Sequence, residues 1–304
     1  MKNSSPLKSK GWVVFVGWAI LCIVVFWKPL AALSHFAAHS DDASHVFLIP
    51  FITAWLFCLD RRILSEQQKP DLRGAGAFVA LATAVAAITS LGGFEGPSNR
   101  LTGYILAFVL LIAAGFVAVF GRVAAKSSMC ALGFLLFLVP MPDALVSRVI
   151  YVLQAGSAAI AGFLFDVCQV PALRQGFVFH LPRMSIEIAK ECSGIRSSIA
   201  LLILAVLVAH FVLQTFWKKM VFVAAGLVMM LVKNGVRIAT LTILANYVDP
   251  SFLYGRLHHS GGVVFFLIGL GLMLPVYWLL KKGEPKNPRM AGPGMAKSQT
   301  VAAV

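Results

Sequence analysis

The sequence predicts an all-α integral membrane protein of about eight transmembrane helices, with an interfacial helix and hairpin between the fifth and sixth. Three observations lead there. Of its 304 residues, 59 % are apolar and 12 % charged, with a mean hydropathy of +0.86; ordinary soluble domains are roughly 45–50 % apolar and about 25 % charged. The apolar residues gather in repeated runs that approach the roughly 20 residues a helix needs to cross a bilayer. The basic residues are distributed unevenly between those runs. Together these exclude a secreted disulfide scaffold, a disordered chain and a cytosolic enzyme.

The runs lie at 11–33, 46–59, 74–92, 102–120, 128–140, 193–216, 219–246 and 261–280. The first is too long for a signal-peptide core and lacks a clean small-x-small cleavage pattern, so it reads as a retained span. With the N-terminus inside, segments 1–10, 60–73, 121–127, 217–219 and 281–304 are cytoplasmic and carry 16 of the 26 Lys and Arg residues. Eight of the twelve acidic residues fall on the other side. Basic loops stay in the cytoplasm, so both termini are placed there and the net charge of +14 is a topology signal, not a nucleic-acid footprint. The implied order is a cytoplasmic head at 1–10, a membrane domain at 11–280 and a disordered basic cytoplasmic tail at 281–304.

Residues 148–167 are apolar enough for a ninth span. A crossing there would put Lys218 and Lys219 outside and reverse the charge pattern, so an interfacial or partly inserted helix is preferred. The following VPALRQGFVFHLPRMSIEIAK alternates apolar and polar residues around Gly176 and Pro182, which predicts a short β-hairpin.

In a bilayer the informative residues are the polar ones, because an ionisable group near the centre costs roughly 2.5–3.5 kcal/mol on insertion scales. Three clusters stand out, each on or near the external side. Glu191-Cys192-Ser193-Gly194-Ile195-Arg196-Ser197-Ser198 opens a long apolar run. A thiol at a helix N-terminus is favoured as thiolate, and Arg196 adds positive potential. Lys233-Asn234-Gly235-Val236-Arg237 lies inside the run 219–246, with Asn234 and Arg237 on one helix face. Arg237 stays charged and offers two parallel donors to an oxyanion. Leu257-His258-His259-Ser260-Gly261-Gly262 precedes the last run and supplies imidazoles that titrate near neutral pH. A thiol, a permanent cation and an imidazole are the groups that nucleophilic acyl chemistry requires.

These three clusters, in this order, resemble the exosortase/archaeosortase family of polytopic membrane cysteine transpeptidases. Ser44-His45-Val46-Phe47-Leu48-Ile49-Pro50 leading to Arg61-Arg62, and Pro140-Met141-Pro142 followed by Leu153-Gln154, resemble two further family segments. The likeness runs from about residue 40 to 280. It implies an enzyme of the cell (inner) membrane, active on the external face and without a cofactor. Its partners would be membrane lipid and secreted proteins ending in a short signature such as PEP, a membrane helix and a basic cluster. By position, Cys192 is the acyl-thioester nucleophile, Arg237 stabilises the transition state or donates a proton, and the family histidine falls on His258, with His259 the alternative. Arg196, Asn234, Glu191 and His45 are supporting candidates.

Other readings remain open at this stage. His35, His39, Asp41, Asp42 and His45 have metal-like spacing without a completing Cys or Glu set. Cys168 and Cys192 share the external side, where a disulfide is permitted. A transporter or lipid-linked sugar handler fits eight spans and an embedded Arg, but the chain shows no repeated halves.

Overall fold

The structure is a computed structural model that describes residues 6–66, 69–253 and 262–284. Helices dominate, as the composition requires. The chain packs as two compact units, Met1–Val146 and Ser147–Val304.

The first unit opens with α1 (Pro6–Val25) and α2 (Trp27–His39), bent by 76° at Phe26. After a 3-10 turn come α3 (Ile49–Glu66), α4 (Leu72–Ser90), α5 (Pro97–Ser127) and α6 (Met129–Phe134). Helices α4 and α5 form a hairpin in which Gly103 packs directly on Thr89, so the backbones approach closely. Gly115 receives the ring of Trp18, whose Nε1 donates to the Leu111 carbonyl at 2.8 Å. Small residues at helix contacts are the membrane solution, because lipid removes the hydrophobic drive between helices. Phe15, Phe57, Phe116 and Phe120 cluster beside them, Phe15 edge-on to the other three and Phe57 stacked on Phe116. Gly121 breaks the helical geometry of α5 at φ 84° and lies against the Lys69 carbonyl, where no side chain fits. Asp71 caps α4 by accepting from the Gly74 N–H at 2.9 Å and also pairs with Arg122. That backbone hydrogen bond, then the arginine, holds its carboxyl below the usual range.

The second unit starts within α7 (Asp143–Val167) and continues through β1 (Leu173–Gln175), β2 (Val178–His180) and β3 (Ser185–Glu187). Next come α8 (Ile195–Val212), α9 (Phe216–Tyr247) and α10 (Gly262–Lys281). The predicted hairpin is thus a three-stranded antiparallel sheet in the order β1-β2-β3. Its apolar face rests on α7, with Phe179 edge-on to Phe165 at 5.2 Å and Phe177 edge-on to Tyr151 at 5.8 Å. Ala158 and Ala161 of α7, Leu181, Ile188, and Ile238 and Ala239 of α9 complete this core. At the other end of the unit the carboxylate of Glu284 accepts from the Gln214 and Thr215 N–H groups at 3.0 and 3.4 Å, closing the α8–α9 turn. Burial alone would raise that carboxyl's pKa, but these donors and the Lys218 charge hold it below its ordinary value.

Among the described residues six helices are long and apolar enough to cross a membrane (α4, α5, α7, α8, α9 and α10), or seven if the bent pair α1–α2 is one span. The expected count of eight is therefore not reached. The runs at 46–59 and 128–140 fold into apolar helices Ile49–Asp60 and Met129–Leu138. These rise roughly 18 and 15 Å, about half of a 30 Å hydrocarbon layer. Conversely, the segment preferred as interfacial belongs to α7, a 25-residue helix that qualifies as a span by length and composition. Large exposed apolar side chains such as Val13, Phe51, Leu81, Phe163, Leu267 and Leu274 mark surface that faces lipid, since in water such patches would be unstable.

Candidate active site

The chain leaves β3 at Glu187, makes a 3-10 turn over Lys190–Ser193 and enters α8 through Gly194. Cys192 is half-buried in that turn and lies against the core shared by α7 and α9. It sits three residues before the first helical residue, because Gly194 adopts the left-handed conformation at φ 69°, ψ 23°. Arg196 lies beyond the break at Gly194, so it does not share a helix face with the thiol. It is exposed on the first turn of α8.

Glycine is required at 194 twice over. Only glycine takes the left-handed conformation without strain. A Cβ there would also stand 2.8 Å from Oδ1 of Asn234. Gly194→Ala is expected to cost about 2 kcal/mol of stability or more, since a non-glycine residue held in such a region costs of order 1–3 kcal/mol. Thermal unfolding of the detergent-solubilised protein reads the loss, and alkylation of Cys192 reads the displacement of the turn.

Asn234 is the hub of the site. It is 1 % exposed, and its Nδ2 donates to the Cys192 carbonyl at 2.9 Å and to Ser157 Oγ at 2.9 Å. One side chain of α9 thereby holds the thiol's turn and α7 together. The contact is possible because Gly235 lets α7 close in: a Cβ there would overlap Ile160 and stand 3.2 Å from the Ser157 carbonyl. Gln154, one turn earlier on α7, donates to the Ile188 carbonyl at 2.8 Å and fixes the strand that leads to the turn.

Below Asn234 on α9, Lys233 is 2 % exposed and donates to Ser197 Oγ at 2.5 Å. The Ser197 hydroxyl in turn donates to the Gly194 carbonyl at 3.0 Å. The lysine's alkyl chain runs over Gly269 of α10, which has no side chain to obstruct it. Arg237, half-buried, follows Lys233 by one turn and Asn234 by three residues, so two cations line one side of α9. Ser193 Oγ, Ser198 Oγ and Asn234 Oδ1 are buried and accept or donate no hydrogen bond among the described residues. Buried polar atoms normally find partners, so these mark a polar recess with unused capacity.

Of the residues singled out in the sequence, the structure brings Cys192 and Asn234 into direct contact and puts Arg237 on the next turn of the same helix. Glu191 occupies the same turn as Cys192. His45 belongs to the first unit, where Nε2 donates to the Phe137 carbonyl at 3.2 Å. His258 and His259 lie outside the described residues. His35 and His39 stack at 4.2 Å, and among the described residues no three His, Cys, Asp or Glu side chains converge as metal ligands. Cys168 and Cys192 are not joined by a disulfide. Sequence reasoning gave no part to Ser157, and it named Ser197 and Lys233 in two polar clusters without joining them. Gln154 and Ser157, three apart on an otherwise apolar helix, were the available signal.

The sequence model of the family described as transmembrane exosortase matches residues 35–275. The chain belongs to the transmembrane exosortase family. No curated protein and no solved structure matches it. The exosortase match spans both compact units and every element of the site. It includes the 3-10 turn with Cys192, α9 with Asn234 and Arg237, and the sheet between α7 and α8.

Proposed function

We propose that this exosortase is a membrane-embedded cysteine peptidase and transpeptidase acting on the C-terminal sorting signals of secreted proteins. The tails are of the tripartite kind, with a signature, a membrane helix and a basic cluster. The observation that carries the reading is the bond from Asn234 to the Cys192 carbonyl, which ties the thiol's turn to the helix bearing Arg237. A substrate that is itself a membrane helix docks beside α8 and α9, and its preceding peptide then lies at the level of Cys192.

The chemistry follows from the groups. The Cys192 thiolate attacks the scissile carbonyl carbon, and the electron pair moves to oxygen, where the Arg237 guanidinium supplies two donors. The C–N bond breaks, the leaving amine takes a proton carried by His258 (or His259), and an acyl-thioester remains on Cys192. An acceptor amine, hydroxyl or water attacks the thioester, loses its proton to the imidazole and regenerates the thiolate. Asn234 positions the nucleophile's turn, Arg196 and Glu191 shape its charge, and His45 is assigned a supporting part. The enzyme resides in the cell membrane with both termini cytoplasmic and the site on the external face, as the basic segments indicate.

C-terminal proteomics of the native host, with wild-type protein and Cys192→Ala at equal expression, tests this reading. A set of secreted proteins is expected to keep hydrophobic, basic-ended tails only in the variant strain. Identical C-termini in both strains would make Cys192 a packing residue.

A further inference from the structure

The sheet between α7 and the Cys192 turn has a free edge. In an antiparallel pair, residues facing each other alternate between hydrogen-bonded and non-hydrogen-bonded positions. The Ile188 N–H donates to the Phe177 carbonyl at 2.9 Å and the Leu181 N–H to the Met184 carbonyl at 2.8 Å. With Val178 opposite Glu187 and His180 opposite Ser185, those two positions of β3 are the non-bonded ones. The N–H and C=O groups of Ser185 and Glu187 therefore point away from β2, out of the sheet. Both residues are exposed, and among the described residues nothing hydrogen-bonds to these backbone groups.

Such an edge is a template for another extended chain, and proteins that must avoid pairing blunt it with proline, lysine or a covering loop. Among the described residues, Ser185–Glu187 carries no proline, lysine or covering loop, and its one charge is Glu187. The strand is also held rigid. Ile186 packs on the α7 core, Gln154 fixes the Ile188 carbonyl, and the opposite face is tied across all three strands. There Ser185 Oγ bonds His180 Nδ1 at 2.8 Å, and His180 Nε2 bonds Gln175 Oε1 at 3.3 Å. Cys192 follows Glu187 by five residues, at most about 18 Å of chain. A rigid, unpaired edge thus leads directly to the thiol.

We propose that β3 is the docking strand for the substrate. The extended segment of a secreted protein's tail, next to its membrane helix, adds to the edge at Ser185–Glu187 through main-chain hydrogen bonds. This places the scissile bond at Cys192. Strand addition gives affinity through the backbone and leaves sequence preference to alternate side chains. The opposite edge, at β1, lies two strands farther from the Cys192 turn. The proposal rests on Cys192 as the nucleophile, and the test separates the two.

The test is carried out on full-length protein with a reporter whose tail has a PEP-containing linker, an apolar helix and a basic cluster. Glu187→Pro deletes an outward-facing N–H together with the carboxylate, at a position where edge strands accept proline. Reporter cleavage is expected to fall about ten-fold or more, with Cys192 alkylation by iodoacetamide kept within about two-fold of wild type, the cost of an unpaired carbonyl. Arg174→Pro, the matching deletion on the β1 edge, is expected to leave cleavage near wild type. Glu187→Ala keeps the donor and is expected to lose less than Glu187→Pro. Equal losses, or wild-type cleavage in Glu187→Pro, overturn the proposal. If Cys192→Ala still cleaves the reporter, the nucleophile assignment has failed instead.

A second measurement does not depend on proline being tolerated. Ser185→Cys is oxidised against single cysteines placed along the reporter tail. Disulfides at every second tail residue are expected from a paired strand. A uniform pattern, none at all, or a link between two copies of the enzyme overturns it.

Discussion

Cys192→Ala is expected to lower cleavage of a tail substrate by about 10^4- to 10^6-fold, the range seen when a nucleophile is removed from an acyl-transfer site. The same substitution is expected to leave thermal unfolding close to wild type. The reason is local: Asn234 grips the carbonyl of residue 192, not its side chain, so alanine keeps the bond that holds the turn. Gly194, Ser197 and Lys233 are untouched as well. A loss of activity without a loss of stability therefore isolates the thiol. Cys192→Ser retains a weakly nucleophilic hydroxyl and is expected to rescue little. Turnover and thermal scans of the solubilised protein check both halves.

Arg237→Lys is the second large effect, expected to reduce kcat by about 10^2- to 10^3-fold with KM little changed, as when one oxyanion donor is lost. A lysine keeps the positive charge, and Lys233 keeps a second one a single turn away. If the cations served only to set a local potential, the variant would stay active. What it lacks is the planar pair of donors that meets a developing oxyanion with both hydrogens. Wild-type kcat in Arg237→Lys would assign Arg237 to charge balance. Rising KM with constant kcat would assign it to substrate binding.

The long spans were legible from hydropathy because length and composition decide them: the runs at 74–92, 102–120, 193–216, 219–246 and 261–280 correspond to α4, α5, α8, α9 and α10. What hydropathy averages away is direction. The 76° bend at Phe26 falls where Pro29 has no N–H to offer the Val25 carbonyl and its ring crowds that carbonyl, so one apolar run concealed two helices. The two short runs carried enough apolar residues to score but not enough to reach across a bilayer. For α7, the charge pattern argued against a crossing while its length permits one.

The candidate site divides in the same way. Cys192, Asn234 and Arg237 were conspicuous because polar groups in an apolar run are costly, so each demanded a reason. Ser157 was not, because a serine among alanines and glycines costs little. Lys233 was visible as a cation, but its bond to Ser197 depends on the register between α8 and α9, which neither helix alone encodes. The free edge of β3 was hidden for the same reason. A hairpin pattern predicts alternation, whereas the third strand and the direction of its backbone groups belong to the assembled sheet.

The most direct test of the account is the mass of the covalent intermediate. Solubilised wild-type enzyme is mixed with a tail substrate, quenched in acid and digested, and the peptide containing Cys192 is followed. The account predicts an adduct equal to the substrate's upstream fragment, on Cys192 alone among the five cysteines and removed by hydroxylamine. Cleavage that proceeds with no adduct, or with one on another residue, would contradict it.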